Sequence, residues 1–494
     1  MDRQMAVHRI LIAGFILQFF AIPNPLIAQD DVTTQNGPSA LRGAWITGPA
    51  SNPLSFLNGP AYRTFSSKMP YDVPDFHPAG QLDARLPHRI NVEAEERLRL
   101  EGYTNGSFKR GNNDSYWLNR FRFQIDLHIN RWLSLSSQVQ DARPFLQKPP
   151  IGPPNENSWD LKGAYLQVGD PEKHWASLRV GRQLINYNNT LIANSEWRNQ
   201  GRSYDAAVVN LHHDVWRLGI FAASVVIPQA SGVSSHEEGN NIYGLYGGID
   251  NLPRNFRLEP FVLWRMQPSV AVKGTTAGPT GKENMKVYGL RYKGGAMETL
   301  DYSVQTAVEA GSDGPNALRA WSLTGGVGYQ FDSNPWHLRI FGQYDFASGD
   351  NDPSGNTHRT FDTIYPTAHD RFGILDLFGW QNIQSVRGGA MIVPRRRWTV
   401  TAQLLDFRLA AAQDAAYNSS GGAIVRDSSG QDGKHIGEEM DIYSWYELNR
   451  HLNIGAGFGE FESGRFISAT TDAGFYRGVY FAINFKDAGR AEPH

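Results

Sequence analysis

The sequence predicts an all-β fold, a single large antiparallel transmembrane β-barrel, and three observations carry that prediction. In residues 119–129, Phe121, Phe123, Ile125, Leu127 and Ile129 share one face of a strand, while Arg120, Arg122, Gln124, Asp126 and His128 share the other. The pattern recurs from about residue 90 to 485 without a helical layer to cover the oily face, so lipid must cover it. Past residue 28, no apolar run reaches the roughly 20 residues that a helix needs to span a bilayer. A membrane form of this chain therefore crosses with strands. Composition is the third observation: 494 residues with 0 Cys, 50 Gly, 20 Tyr, 26 Phe and 13 Trp, at a mean hydropathy of -0.44. Absence of cysteine excludes disulfides and thiolate metal sites, and the glycines and aromatics suit strands, turns and interfacial girdles. A formal net charge of -2 excludes a globally basic nucleic-acid binder, so any anion preference must come from where the arginines sit.

Residues 1–28 read as an export signal. Arg3, His8 and Arg9 precede an apolar run over 10–22, and Ala28 stands before Gln29-Asp30-Asp31, which places cleavage after Ala28. Residues 29–87 are punctuated by Gly48-Pro49, Asn52-Pro53, Gly59-Pro60 and Met69-Pro70 and read as an irregular extension, either a periplasmic lead or a segment in the barrel mouth. The barrel is expected over 88–485. In its first strand Ile90, Val92, Ala94, Leu98 and Leu100 face one way, with Glu96 as the exception, and Glu93, Glu95, Arg97 and Arg99 face the other. The same alternation marks strands around Leu135, Leu166, Leu178, Leu218, Leu290 and Val304.

The clearest hairpin spans 321–346. Trp321, Leu323, Val327, Tyr329 and Phe331 precede the turn Asp332-Ser333-Asn334-Pro335, and Trp336, Leu338, Ile340, Tyr344 and Phe346 follow it on the same face. Aromatics at both ends of an oily face are what membrane interfaces select. Polar stretches 348–369 and 414–438 read as extracellular loops. The last strand, 478–485, ends its oily face at Phe485, and residues 486–494 form a tail beyond it.

Several stretches together resemble the alginate-export family of outer-membrane porins. They are Val180-Gly181-Arg182-Gln183-Leu184, the run 195–206 from Ser195 to Ala206 with Trp197, Arg202 and Asp205, and the run 361–382 with Tyr365-Pro366, Asp376, Trp380 and Asn382. Further matches are His435-Ile436-Gly437-Glu438-Glu439-Met440-Asp441 and Gly457-Phe458-Gly459-Glu460-Phe461. The likeness covers roughly residues 90–485. It departs from the family at Thr190, where an arginine often stands before Leu191-Ile192. The resemblance implies a monomeric barrel of about 18 strands in the Gram-negative outer membrane. Lipid and lipopolysaccharide would surround it, and an anionic polysaccharide would pass through an arginine-lined lumen, with periplasmic export or assembly partners beneath.

Arg97, Arg99, Arg120, Arg122, Arg179, Arg291 and Arg339 all fall on the polar parity of their strands. Guanidinium groups in a narrow lumen focus positive potential and grip carboxylates in bidentate fashion, which suits a polyuronate path. The bland alternative is that each pairs with Glu93, Glu95, Glu101, Asp126, Asp345 or Glu309. Arg182 falls on the oily parity, so its strand should end or bulge there. The segment with Trp197, Arg202 and Asp205 is either an inward loop that narrows the pore or a loop anchored by an Arg202–Asp205 salt bridge. Residues 373–382 are either a constriction or a lumenal turn, with Phe378 and Trp380 as alternative interface anchors.

No cofactor and no specific metal site are expected. His435, Glu438, Glu439 and Asp441, like Asp350, Asp352 and Asp370, read as solvated acidic loops. Catalysis is not expected either. His212-His213-Asp214 fits a short turn better than a site that needs a nucleophile beside a base. The functional expectation is a passive porin for an alginate-like polyuronate. The alternative is a general or nutrient porin for small anions or acidic oligosaccharides.

Overall fold

The computed structural model describes residues 78–488, apart from 153, 172, 188–189, 253–255, 272–279, 296–298, 332, 353, 368 and 370. The export signal, most of the 29–87 extension, Asp370 and the end of the tail lie outside the described residues. Strands β1 (Ile90–Thr104), β2 (Asp114–His128), β3 (Leu133–Phe145), β4 (Asn157–Val168), β5 (Ala176–Gln183) and β6 (Tyr204–His213) come first. Next are β7 (Trp216–Ile227), β8 (Ser235–Leu252), β9 (Phe256–Ala271), β10 (Thr280–Gly295), β11 (Leu300–Asp313) and β12 (Asn316–Gln330). The last are β13 (Arg339–Ala347), β14 (Ile383–Arg395), β15 (Trp398–Leu409), β16 (His435–Glu447), β17 (Leu452–Ser463) and β18 (Phe475–Ala488). Each pairs antiparallel with its neighbour, and β18 returns to β1 in register from Glu93↔Ala488 to Thr104↔Arg477. The result is a closed barrel of 18 strands, which leaves no sheet edge.

The alternation read from sequence is the inside–outside pattern of the wall. On β2, Arg120 and Arg122 are buried in the interior while Phe121, Ile125 and Leu127 stay exposed on the outer surface. Exposed tryptophans form two belts: Trp132, Trp175, Trp216 and Trp336 near the short turns, and Trp159, Trp264 and Trp321 near the long loops. Such aromatic rings sit at the two lipid–water boundaries. Both chain ends of the barrel, at Ile90 and Ala488, lie at the short-turn end, which is the periplasmic side in barrels of this kind. No described helix is long and apolar enough to cross a membrane.

Several details differ from the sequence reading. Helix α1 (Pro78–Asp83) occupies part of the extension and bridges the closing seam. The Asp487 carboxylate accepts from Ala79 N at 2.6 Å, and Asp83 accepts from Val92 N at 3.1 Å. The last strand continues past Phe485 to Ala488. After Phe331 the turn is wider than the four residues expected, because Phe331 N pairs with Leu338 O and β13 starts only at Arg339. Residues 348–369 are not a solvated loop, for Phe361, Ile364 and Tyr365 are buried.

Part of the interior is filled by the chain itself. Residues 184–203, between β5 and β6, and residues 348–382, between β13 and β14, both fold inward. Ile185, Leu191, Ile192, Phe361, Phe372 and Trp380 from these segments bury against Phe221, Tyr246, Phe261 and Val287, which point inward from the wall. Apolar side chains inside a barrel have no lipid to face, so they gain by covering one another.

Candidate functional site

The two inward segments are stitched together and then to the wall. Ala193 N donates to Tyr365 O at 2.8 Å and Tyr365 N donates to Leu191 O at 2.9 Å, a short bridge between the loops. Arg202 locks that bridge by donating to Ala193 O at 3.0 Å and Tyr365 O at 2.7 Å. Arg202 therefore anchors a loop, but through carbonyls. The expected Arg202–Asp205 salt bridge is not formed. Asp205 lies on the outer parity of β6 and takes Arg182 instead, with Nε–Oδ1 at 2.8 Å and Nη2–Oδ2 at 3.0 Å. No bulge interrupts β5 at Arg182, which pairs in register with Ala164 and Asp205 on the outer parity, and the strand ends one residue later at Gln183. Gln183 returns to the interior and donates to Ala206 O at 3.0 Å.

The arginines of β1 and β2 hold the first inward loop. Arg97 donates to Glu196 O at 2.7 Å and Arg198 O at 2.9 Å, and Arg120 donates to Glu196 O at 3.0 Å. Arg122 reaches the Glu196 carboxylate at 2.5 Å, and Arg120 also pairs with Glu95. Burial by itself pushes the Glu196 carboxyl up, yet Arg122, Arg120 and Lys162 overcome this and hold it below the usual glutamate range. Arg99 donates to Trp197 O at 2.6 Å, pairs with Glu101 at 2.7 Å and lies 4.0 Å over the Trp197 ring. His369 stacks on Trp197 at 3.6 Å, so this indole is sandwiched. Thus Arg97, Arg99, Arg120 and Arg122 face the lumen as their parity predicts, but their donors are engaged by a loop.

The second inward loop is pinned as firmly. Ile374 N donates to Asp441 Oδ2 at 3.2 Å, and Leu375 N donates to Glu439 Oε1 at 3.2 Å. Asp376 pairs with His369 Nδ1 at 2.9 Å. At its base Asn382 donates to Ala411 O at 3.1 Å and Ala415 O at 2.9 Å and accepts from Ala411 N at 2.7 Å. Trp380 and Phe378 are buried inside the barrel, Trp380 edge-on to Phe361 at 5.4 Å, so neither is a membrane-interface anchor. Residues 373–382 form a lumenal turn. Glu439 and Asp441 are not solvated loop residues but buried acceptors on β16 for this turn, whereas His435 and Glu438 gather with Asp406, each offering a ligand atom within 4.8 Å of the others.

Two regions of the described interior bear on passage. Near the long-loop end, a cavity of about 280 Å³ is walled by Tyr103, Tyr116, Tyr476 and Tyr480, with Arg99 and Arg198 beside Glu101 and Asp376. Nearer the short turns, Arg217, Arg257, Arg291, Lys293, Arg339 and Arg387 line one side of the lumen from β7 to β14. They meet three carboxylates. Arg257 is 2.5 Å from Asp250, Arg339 is 2.7 Å from Asp301, and Arg291 and Lys293 lie 3.7 and 3.6 Å from Glu259. Arg217 pairs with Asp250, and Arg387 donates to Gln403 Oε1 at 2.8 Å. Among the described residues these six cations meet three carboxylates, and a fourth on the same wall, Asp345 of β13, is taken by Arg371. Nη1 of Arg339 is buried with no protein acceptor. Arg179 stands apart, bonded to Gln167 and 4.5 Å over Tyr165. Of the crescent, Arg291 and Arg339 were expected. Arg217 and Lys293 also lie on polar parity but carried no motif, and Arg387 sits in a glycine-broken strand.

The family described as alginate export matches residues 88–480. This chain belongs to the alginate-export family. Its barrel is thus an integral outer-membrane porin, and its fold has solved relatives. The outer membrane protein OpdK from Pseudomonas aeruginosa is 10% identical, with a TM-score of 0.55 over 80% of this chain and 98% of that one. OpdO from the same organism is 12% identical, with a TM-score of 0.56 over 84% and 100%. OccAB2 from Acinetobacter baumannii is 10% identical, with a TM-score of 0.56 over 82% and 99%. At such identities these likenesses speak for the fold alone. A search of curated proteins finds no matching sequence. Within the family, this member's seven parity arginines divide into four that brace a loop, two that belong to the crescent, and Arg179.

Proposed function

We propose that this alginate-export family member passively conducts an acidic saccharide, of the polyuronate kind, through its lumen. The observation that carries the reading is the crescent from Arg217 to Arg387, in which six cations face three carboxylates. Clustered guanidinium groups inside a low-dielectric wall attract carboxylates and hold each one weakly enough to release it. The tyrosine-walled cavity supports a saccharide at the other end, since aromatic rings offer sugar rings an apolar face and Arg198 offers a carboxylate a partner. No cofactor enters this account, and the family's transport role leaves no step for catalysis.

A second reading, passage of small anions or short acidic oligosaccharides, is favoured by the two packed inward loops and the modest cavity. Planar-bilayer conductance of the purified protein, with uronate oligomers of increasing length, separates the two. Anion-selective current blocked more strongly by longer oligomers supports the polymer path. Block that stops growing beyond a dimer or trimer supports the short-solute reading. Current indifferent to every uronate overturns the polyuronate path and leaves a general porin for small anions.

A further inference from the structure

Three cations on the outer surface of the wall take no part in the lumen. Lys282 and Lys286 on β10 and Arg319 on β12 are exposed on the outer parity of their strands. Among the described residues, none of the three has a carboxylate within ion-pair distance. By contrast, the outward Arg182, Arg408 and Arg477, near the long-loop ends of β5, β15 and β18, are met by Asp205, Asp406 and Glu460. Register brings Lys286 and Arg319 to one level, because both stand opposite Ala310 of β11, one on each side. Two strand spacings put their backbones about 10 Å apart, and Ala310 between them carries only a methyl group. Lys286 is also opposite Trp264, with Nζ 5.9 Å from that ring, so the pair lies at the aromatic belt of the long-loop end. One step below, the outer face is apolar, with Tyr288, Val308 and Trp321 forming the next row. One step above, Asn284 faces Ser312.

We propose that this patch is a fixed binding site for a phosphorylated glycolipid of the outer leaflet, the lipid A part of lipopolysaccharide. The long-loop end faces that leaflet, whose lipid carries phosphates on a sugar core above its acyl chains. Arg319 can grip a phosphate with two N–H donors at once, and Lys286 adds a point charge from the other side. No carboxylate of the chain competes for either. Lys282, higher on β10, extends the positive field towards the sugar. The acyl chains then run down over Tyr288, Val308 and Trp321, so the polar and apolar rows of the wall follow the two parts of the lipid in order. Unpaired cations at this depth are unfavourable beside hydrocarbon and favourable beside an anionic headgroup.

Native mass spectrometry of the purified barrel, titrated with bisphosphorylated lipid A, tests this. Lys286→Gln combined with Arg319→Gln should lower lipid A occupancy several-fold in a barrel whose heat-modifiable migration shows it folded. The exchange Lys286→Arg with Arg319→Lys keeps both charges and should retain binding. Arg408→Gln removes an outward cation that is already paired and should leave occupancy unchanged. A second measurement needs no variant: lipid A stripped of both phosphates should occupy the wild type as poorly as intact lipid A occupies the double variant. Equal occupancy in the wild type and the folded double variant, an equal loss with Arg408→Gln, or undiminished binding of the stripped lipid would overturn the proposal. Equal competition by phosphatidylglycerol or inorganic phosphate would overturn it too, by making the patch a general anion site.

Discussion

Arg122 reaches from the wall into the lumen and meets the Glu196 carboxylate at 2.5 Å, so one buried ion pair joins a transmembrane strand to the first inward loop. Arg120 approaches the same carboxylate at 3.2 Å and Glu95 completes the group. Removing one partner from a buried pair leaves the other uncompensated and costs about 3–5 kcal/mol. Glu196→Ala should release residues 194–202, raise single-channel conductance and add current noise, while lowering thermal stability. Unchanged conductance in the folded variant would show that the loop is held elsewhere.

Acid should act through the same residue, with a definite sign. The folded pKa of Glu196 lies below its ordinary value. The contribution of this pair is therefore fully present above the ordinary glutamate pKa of about 4.3 and is lost as pH falls through the lower folded value. Conductance should stay constant from neutral pH down to about pH 5 and rise only in stronger acid. A rise already complete at mildly acidic pH would contradict the anchoring role.

The division of the arginines predicts two distinct phenotypes. Replacing Arg217, Arg291 and Arg339 together with Gln removes three of the six crescent cations and should lower anion-over-cation selectivity several-fold, with little change in loop noise. Replacing Arg120 and Arg122 should instead disturb conductance through the loop. Reversal potentials in a salt gradient separate the two. If both sets shift selectivity equally, the crescent is not the filter.

Gly373 tests the second loop. It sits at φ 86, and an added Cβ would collide with the Glu439 carboxylate that receives Leu375 N. Gly373→Ala combines a left-handed backbone cost of about 1–2 kcal/mol with that clash. The loop should lift from Glu439 and Asp441, seen as faster proteolysis within 361–380 in a barrel that still migrates as folded.

Much of the wall was legible because strand alternation is local: the inward set Arg97, Arg99, Arg120, Arg122 and the outward Glu96 follow from parity alone. What each arginine touches was not legible. Arg97 bonds to the backbone of residues 196 and 198, about a hundred positions away, and no periodicity encodes a carbonyl. Residues 348–382 carry Asp, Pro and Gly like a solvated loop, and their buried Phe361, Phe372 and Trp380 are spaced without a period. Arg182 and Asp205 were both singled out by sequence. Their pairing depends on the β5–β6 register, in which they stand directly opposite each other.

The seam bond between Ala79 and Asp487 spans 408 residues of chain. Its two halves flank the whole run of barrel strands, so this contact can form only when the sheet between them closes. Until β18 docks, β1 and β17 both present open edges, and an unclosed edge is a template for any passing strand. Loop-closure entropy makes so distant a contact slow to find unaided. A chain cut before Asp487 would thus be more than a slightly smaller barrel. It would lack the clasp that ends its vulnerability, and would be expected to reach the degradation machinery before the membrane.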